Sequence, residues 1–211
     1  MRKKLLTKSS KRIKRVLDLL LCLLCAPVAA PLCAGLALWI RADSAGPAIY
    51  RQERIGEGGK KFKIYKFRTM VADADARLSS CLAADPALAE EWARNRKLKK
   101  DPRLTRAGVF LRKTSLDELP QILNIFLGRM SFVGPRPIVA GEIRRYGRRF
   151  ADYCGAKPGL TGLWQVTGRN NSTYRRRIAC DAFYIKNWSA LLDLKILLRT
   201  LPVALSGYGA Y

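Results

Sequence analysis

The sequence predicts a mostly helical α+β protein with three parts: an N-terminal helix–break–helix that enters a membrane, a short β-hairpin, and amphipathic helices lying at the membrane interface. Three observations carry this. Leu19 to Ile40 is a run of 22 residues without a charge, interrupted by Pro27 and Pro31. Two alternating segments, Ala48 to Arg54 and Lys61 to Arg68, flank Gly56-Glu-Gly-Gly59, the pattern of a hairpin and its turn. Downstream, apolar residues recur at helical spacing among many cations.

The uncharged run is long enough to cross a bilayer, which takes about 20 apolar residues. Each proline removes a backbone donor and collides with the turn before it, so a kink or break is expected mid-segment. Lys11, Arg12, Lys14 and Arg15 precede the run and Arg41 follows it at once. Cations therefore flank both ends, and the positive-inside rule places both on the cytosolic face. A segment that dips into one leaflet and returns satisfies that rule; a straight span violates it on one side. A cleaved signal peptide fits less well, because the charged leader and the apolar stretch are both long for one. The chain thus divides into a basic segment and re-entrant anchor over 1–42 and a second domain over 43–211, with no further N-terminal membrane region expected.

Charge narrows the partners. Forty Lys and Arg face 16 Asp and Glu, a net +24, and eight of the cations lie in the first fifteen residues. Such an excess predicts anionic partners: nucleic acid, acidic lipid or phosphorylated substrate. Nucleic-acid modules of this charge carry a recognisable fold signature or interleaved aromatics; neither is present, so nucleic acid is not expected as a partner. The six cysteines are scattered, three of them in the apolar run, which reads as reduced thiols in a cytosolic setting. Cys22-x-x-Cys25 has no second pair and no histidine to complete a zinc site. The chain contains no histidine at all, which excludes a Ser/His/Asp triad and leaves proton transfer or nucleophilic attack to Asp, Glu, Lys, Tyr, Ser, Thr or Cys.

Beyond the hairpin, Val71 to Ser80 and Ala87 to Lys97 have helical patterns, with Pro86 at a helix start. Leu116, Leu119, Leu123 and Phe126 mark an amphipathic helix over Leu116 to Leu127 despite Pro120, closed by Gly128. Gly134-Pro-Arg-Pro137 is a loop, followed by a polar helix carrying Arg144, Arg145, Arg148 and Arg149. Lys157 to Asn170 is a second Gly-rich loop, with Trp164 inside it. Trp188 to Leu205 reads as helices on the membrane surface or, equally on periodicity, as an ordinary core helix.

Ser115-Leu-Asp-Glu118 has two readings. As a capping box, Ser115 caps the helix and Glu118 reaches back to it; acids at a helix start also offset the dipole. The other reading comes from context. Arg112 and Lys113 lie one turn upstream, Arg136 sits between two prolines, and Lys66 and Arg68 end a predicted strand. Brought together, these cations would make a phosphate cradle around an acidic pair. A carboxylate there is expected to have a lowered pKa and stay ionised, competent to attack phosphorus once the phosphate charge is masked.

Tyr65-Lys-Phe-Arg-Thr-Met70, Arg112-Lys-Thr-Ser-Leu-Asp-Glu-Leu-Pro-Gln121, Met130-Ser-Phe-Val-Gly-Pro-Arg-Pro137 and Lys157-Pro-Gly-Leu-Thr-Gly-Leu-Trp-Gln-Val-Thr-Gly-Arg-Asn170 occur in that order. Asp181-Ala-Phe-Tyr184 and Asn187-Trp-Ser189 follow. Together they resemble the bacterial sugar transferase family, the monotopic phosphoglycosyl transferases, over about Lys11 to Thr200. The resemblance implies transfer of a hexose 1-phosphate from a UDP-sugar to polyprenyl (undecaprenyl) phosphate, as the first membrane step of exopolysaccharide, capsule or O-antigen synthesis. It implies Asp117 as the nucleophile of a covalent intermediate, Glu118 as its catalytic partner, and Mg2+ as cofactor with Asp117 among its ligands. The implied substrate-binding set is Lys66, Arg68, Arg112, Gln121, Arg136, Gln165 and Arg169. It also implies an inner-membrane location with the active site on the cytosolic face and the re-entrant break at Pro27 and Pro31. Members often place a serine before the breaking proline, whereas Ala26 stands here. The choice among galactose, glucose and another sugar stays open, as does a homodimer. The alternatives are direct transfer in a ternary complex and a non-catalytic basic membrane adaptor.

Overall fold

In the computed structural model, residues 7–95, 98, 100–168 and 173–205 are described. The first helix, α1, spans Lys8–Asp43 and is capped by Thr7, whose hydroxyl accepts from the Ser10 amide. Its helical pattern continues through Pro27 and Pro31. The expected helix–break–helix is thus one unbroken helix with two prolines inside it, the place where a kink is expected. The prolines are four residues apart, so each lost N–H frees a carbonyl one turn back, at Leu23 and at Pro27 itself.

Both ends of α1 are tied to the same body. Near the start, Lys14 Nζ meets Asp193 Oδ2 at 2.6 Å, and Arg15 donates to the carbonyls of Ile125 at 2.6 Å and Phe126 at 2.7 Å. One turn on, Asp18 accepts from the Ser131 hydroxyl and the Phe132 amide. At the far end Asp43 accepts from the Ala107 amide at 3.0 Å. Between these ties Leu23, Leu24 and Val28 are 64, 75 and 70% exposed, so the apolar middle projects from the protein. By length and composition α1 suffices to cross a membrane, and among the described residues no other helix does.

Strands β1 (Ile49–Ile55) and β2 (Lys61–Phe67) form the expected antiparallel hairpin, in register from Ile49↔Phe67 to Ile55↔Lys61. The turn closes because Gly58 and Gly59 take φ of 69° and 73°, open to glycine at little cost. Helices α2 (Ala74–Ala84), α3 (Pro86–Asn95) and α4 (Arg106–Thr114) follow.

The single helix expected over Leu116 to Leu127 is instead a one-turn 3-10 helix, Leu116–Glu118, and a short α5, Gln121–Phe126. Pro120 stands between them as the residue before α5, where its missing amide costs nothing. Gly128, at φ 75°, ends α5 as expected. The polar Arg-rich segment also divides, into α6 (Ile143–Tyr146) and α7 (Phe150–Cys154), with Gly147 at φ 49° between them.

The Gly-rich stretch from Lys157 is more ordered than a loop. It holds β4 (Gly159–Thr161) and α8 (Leu163–Thr167), and β4 pairs in parallel with β3 (Ser131–Val133). The last two helices are α9 (Tyr174–Lys186) and α10 (Ala190–Leu205). Helix α10 packs as a core helix on one side and leaves apolar residues uncovered on the other. Ile196 is 1% exposed in the core, while Leu191, Leu194 and Leu198 are 51 to 60% exposed on the opposite side.

The main core joins Cys22 of α1, Ile64 of β2, Ile125 of α5, Val133 of β3, Tyr184 of α9 and Ile196 of α10. A second cluster sets Leu36 and Ile40 of α1 against Phe67 and Leu111. Residues on both sides of the two prolines therefore pack on the body that carries the acidic pair. Exposed apolar side chains also collect on the helices next to α1: Val109 and Phe110 on α4, Leu123 and Phe126 on α5. Trp39 and Phe110 touch with ring centroids 5.4 Å apart.

Candidate active site

Asn124 of α5, fully buried, sets the position of β2. Its Nδ2 donates to the Lys63 carbonyl at 2.8 Å and its Oδ1 accepts from the Tyr65 amide at 2.9 Å. Strand alternation then directs the neighbouring Lys66 toward the turn that bears the acidic pair. Ser115 forms that turn. At φ 59° it is the only non-glycine residue with positive φ among the described residues, and it ends α4 where a glycine is usual. Its hydroxyl makes no cap bond, so the capping box is corrected: Ser115 is the left-handed link that swings Leu116–Glu118 away from the α4 axis. A non-glycine residue held in this region costs on the order of 1–3 kcal/mol and is commonest at functional sites.

Lys66 bridges the pair. Its Nζ lies 2.5 Å from Glu118 Oε1 and 4.0 Å from Asp117 Oδ2, and all three side chains are largely covered. Burial pushes the Asp117 carboxyl up to about 6, with Lys66 and Arg112 drawing it back and Glu118 adding to the rise. The expected lowering at Asp117 is therefore corrected, because lost hydration outweighs the nearby cations. Burial also acts upward on Glu118, but Lys66, Arg136 and Arg54 outweigh it and hold that carboxyl below its ordinary value. The adjacent acids are driven in opposite directions, as acid–base and nucleophilic sites commonly arrange.

Arg136 arrives by a different route. Gly134 packs directly on the start of β4: a Cβ on it would meet the Lys157 carbonyl at 2.5 Å and the Gly159 amide nitrogen at 2.7 Å. That approach brings the Pro-Arg-Pro segment against α8, where the Arg136 guanidinium lies 5.6 Å from the Trp164 ring centre. Beneath it, Asp181 accepts from the Arg136 backbone amide and, at 2.7 Å, from the Tyr146 hydroxyl. Burial raises Asp181 to about 7.

Lys66, Glu118, Gln121, Arg136 and Gln165 thus line one narrow cleft, together with Arg54. The Gln165 Oε1 is buried without a hydrogen-bond partner among the described residues, an acceptor available to a ligand. Arg112 stands on the Asp117 side, its Nε donating to Thr69 Oγ1 at 3.1 Å. Arg68 is not brought into the cleft. Its guanidinium caps the C-terminal end of α1, donating to the carbonyls of Ser44 at 2.7 Å and of Ala45. Arg169 lies outside the described residues. Arg54 and Asp181 complete the site without being marked out as site residues by the sequence. The signal for Arg54 was its place at the end of β1, paired with Phe62 across the hairpin, which only the tertiary fold directs toward Glu118.

The chain thus sets an exposed apolar helix on the same body as an acidic pair held among cations, a combination that defines a class and not yet a family. Comparison identifies the family: the profile of the bacterial sugar transferases matches residues 9–207, and the chain belongs to that family. An undecaprenyl-phosphate galactose phosphotransferase of Salmonella typhimurium is 47% identical over 205 residues, covering 97% of this chain and 43% of that protein. The exopolysaccharide production protein ExoY of Sinorhizobium fredii is 44% identical over 94% of this chain and 88% of its own length. A UDP-glucose:undecaprenyl-phosphate glucose-1-phosphate transferase of Caulobacter vibrioides is 43% identical, covering 94% of this chain and 72% of that protein. The chain spans less than half the length of several relatives it matches.

Proposed function

We propose that this protein transfers a hexose 1-phosphate from a UDP-sugar to undecaprenyl phosphate, releasing UMP and forming the undecaprenyl diphosphate sugar. The observation that carries the reading is Lys66 bridging Asp117 and Glu118 among Arg54, Arg112 and Arg136. Anionic nucleophile and anionic substrate can meet only where surrounding cations offset their repulsion.

In the proposed first step an Asp117 carboxylate oxygen attacks the phosphorus bearing the sugar. An aspartyl–phosphate bond forms, the bond to the bridging oxygen of the diphosphate breaks, and UMP departs with that electron pair. Arg136 and Lys66 stabilise the charge that develops on the phosphates. In the second step an oxygen of undecaprenyl phosphate attacks the same phosphorus and Asp117 is released unchanged. Glu118, held ionised against Lys66, fixes the lysine between the two acids and so keeps Asp117 aligned. Gln121 and Gln165 offer neutral hydrogen-bonding groups to the nucleotide or sugar, and in this reading Arg68 supports the anchor.

The acidic pair fits Mg2+ delivered with the diphosphate, because that ion takes one or two protein carboxylates and completes its shell with phosphate oxygens and water. Among the described residues no cluster of three or more His, Cys, Asp or Glu could hold a metal by itself, which suits a shared site with Asp117 as ligand. When bound, it would neutralise diphosphate charge.

In the same reading residues 1–42 anchor the chain and 43–211 form the catalytic domain. The attachment of both ends of α1 to one body, with cations at each end, supports an anchor that enters and leaves on the cytosolic side of the inner membrane. The exposed apolar residues of α4, α5 and α10 would then rest on the same interface, where a soluble donor and a lipid acceptor can meet.

The deciding experiment incubates detergent-solubilised protein with UDP-sugar labelled in the sugar, without lipid acceptor. Label on the protein that undecaprenyl phosphate then discharges supports the two-step route. UMP release that needs both substrates, with sequential kinetics and no labelled protein, would favour direct transfer. No sugar transfer under any condition would leave the basic adaptor.

A further inference from the structure

A second hollow lies apart from the acidic cleft. A cavity of about 290 Å³ lies between the first turns of α1 and the segments around Ser131 and Lys157. Five cations line it, Lys11, Arg12, Lys14, Arg15 and Lys157, against two carboxylates, Asp18 and Glu57. Three of these cations are already engaged. Lys11 pairs with Glu57 at 2.5 Å, Lys14 with Asp193 at 2.6 Å, and Arg15 donates to the carbonyls that end α5. The side chains of Arg12 and Lys157 make no hydrogen bond or ion pair with another described residue.

Lys157 is placed beside another cation. Gly128 leaves room where a side chain would meet Arg15 Nη2 at 3.5 Å and Lys157 Nζ at 3.6 Å, so two cationic ends converge on one point. Burial, then Arg15, lowers the Lys157 amine from its ordinary value, and Glu57 and Asp18 only partly draw it back. A partly buried ammonium facing a guanidinium is costly alone and favourable around a shared anion. Asp18 makes no direct ion pair with either cation; its Oδ1 accepts from the Ser131 hydroxyl and the Phe132 amide. On the other side of the same turns of α1, Ile13, Val16 and Leu20 are 52 to 58% exposed. The first turns of α1 therefore carry the cavity on one side and exposed apolar residues on the other.

We propose that this cavity is a second anion site, which binds a phosphate group through Arg12 and Lys157 with Arg15 behind them, separate from the cleft lined by Lys66, Glu118 and Arg136. Its position at the root of α1 fits the headgroup phosphate of an anionic bilayer lipid, an assignment that rests on the anchor reading above. A free phosphate offers the same chemistry. The bound anion offsets the repulsion between Arg15 and Lys157 and so ties the α1 root to the segment leading into β4.

The test is native mass spectrometry of the full chain released from neutral detergent. The probes are phosphatidylglycerol, phosphatidylcholine and inorganic phosphate, applied separately. The expected result is one phosphatidylglycerol retained more strongly than phosphatidylcholine. Lys157→Gln and Arg12→Gln should each weaken that retention about tenfold or more, as loss of a charge-assisted hydrogen bond requires. Lys157→Arg should preserve it, and Arg148→Gln, which removes an exposed cation elsewhere, should leave it unchanged. Retention of inorganic phosphate with the same dependence, but not of lipid, supports the site and assigns it to a free anion. Equal retention by wild type and both glutamine variants, or equal loss in Arg148→Gln, overturns the proposal. Binding of the chain to phosphatidylcholine vesicles is measured alongside; its failure would count against the anchor and not against the anion site.

Discussion

Lys66 Nζ sits 2.5 Å from Glu118 and 4.0 Å from Asp117, so one ammonium serves two acids whose proton affinities diverge. Burial raises Asp117 to about 6, whereas Glu118 lies below its ordinary value because Lys66, Arg136 and Arg54 outweigh its burial. At pH 7 Asp117 is then mostly ionised, and the fraction able to attack falls as pH drops through about 6. Sugar transfer should therefore lose about tenfold per pH unit well below 6. Lys66→Met removes a cation that lowers Asp117, so the acid limb of the pH–rate profile should move upward. A limb that stays in place would show that Lys66 does not control Asp117.

Asp117→Asn should abolish covalent labelling and reduce turnover at least about 10³-fold, the scale on which loss of a nucleophile acts. Glu118→Gln should retain some label and slow both half-reactions, because it loosens Lys66 without removing the attacking oxygen. Single-turnover assays with and without lipid acceptor separate the two.

Arg68 provides a contrast with Lys66, two residues earlier in the same motif. Its guanidinium binds carbonyls that follow α1, and the side chain is 8% exposed. Arg68→Met should destabilise the protein by roughly 2–4 kcal/mol through unpaired buried carbonyls. The activity of the folded fraction should change little. Thermal unfolding combined with kcat on folded protein checks this.

Gly134 has no space for a side chain beside Lys157 and Gly159. Gly134→Ala should separate β3 from β4 and displace Arg136, costing about 1–3 kcal/mol of stability. KM for the UDP-sugar should rise even at temperatures where the protein stays folded.

For the anchor, cysteines introduced at Ser9 and Ala42 in a cysteine-free background should both react with a membrane-impermeant reagent from the cytosolic side only. Labelling from opposite faces would establish a spanning helix. Pro27→Ala together with Pro31→Ala restores two backbone donors and should favour that spanning form.

Much of this protein is legible in the residues alone. The 22-residue uncharged run, the cations at both its ends and the two prolines locate the projecting helix, and alternation around Gly56–Gly59 locates the hairpin. The absence of histidine and the Asp117–Glu118 pair restrict the chemistry, because composition acts without regard to fold. What depends on distant neighbours was not legible. Ser115-Leu-Asp-Glu118 taken alone reads as a capping box, but Ser115 adopts an αL turn without a cap bond, and Glu118 turns to Lys66. Charge proximity suggests a low Asp117 pKa, yet burial reverses the sign, and burial is a property of the packed whole. Lys66 and Arg68 are near neighbours in sequence with different fates, one at the acidic pair and one at the end of α1, because only the placement of α1 and α5 around β2 decides which carboxylates or carbonyls each cation meets.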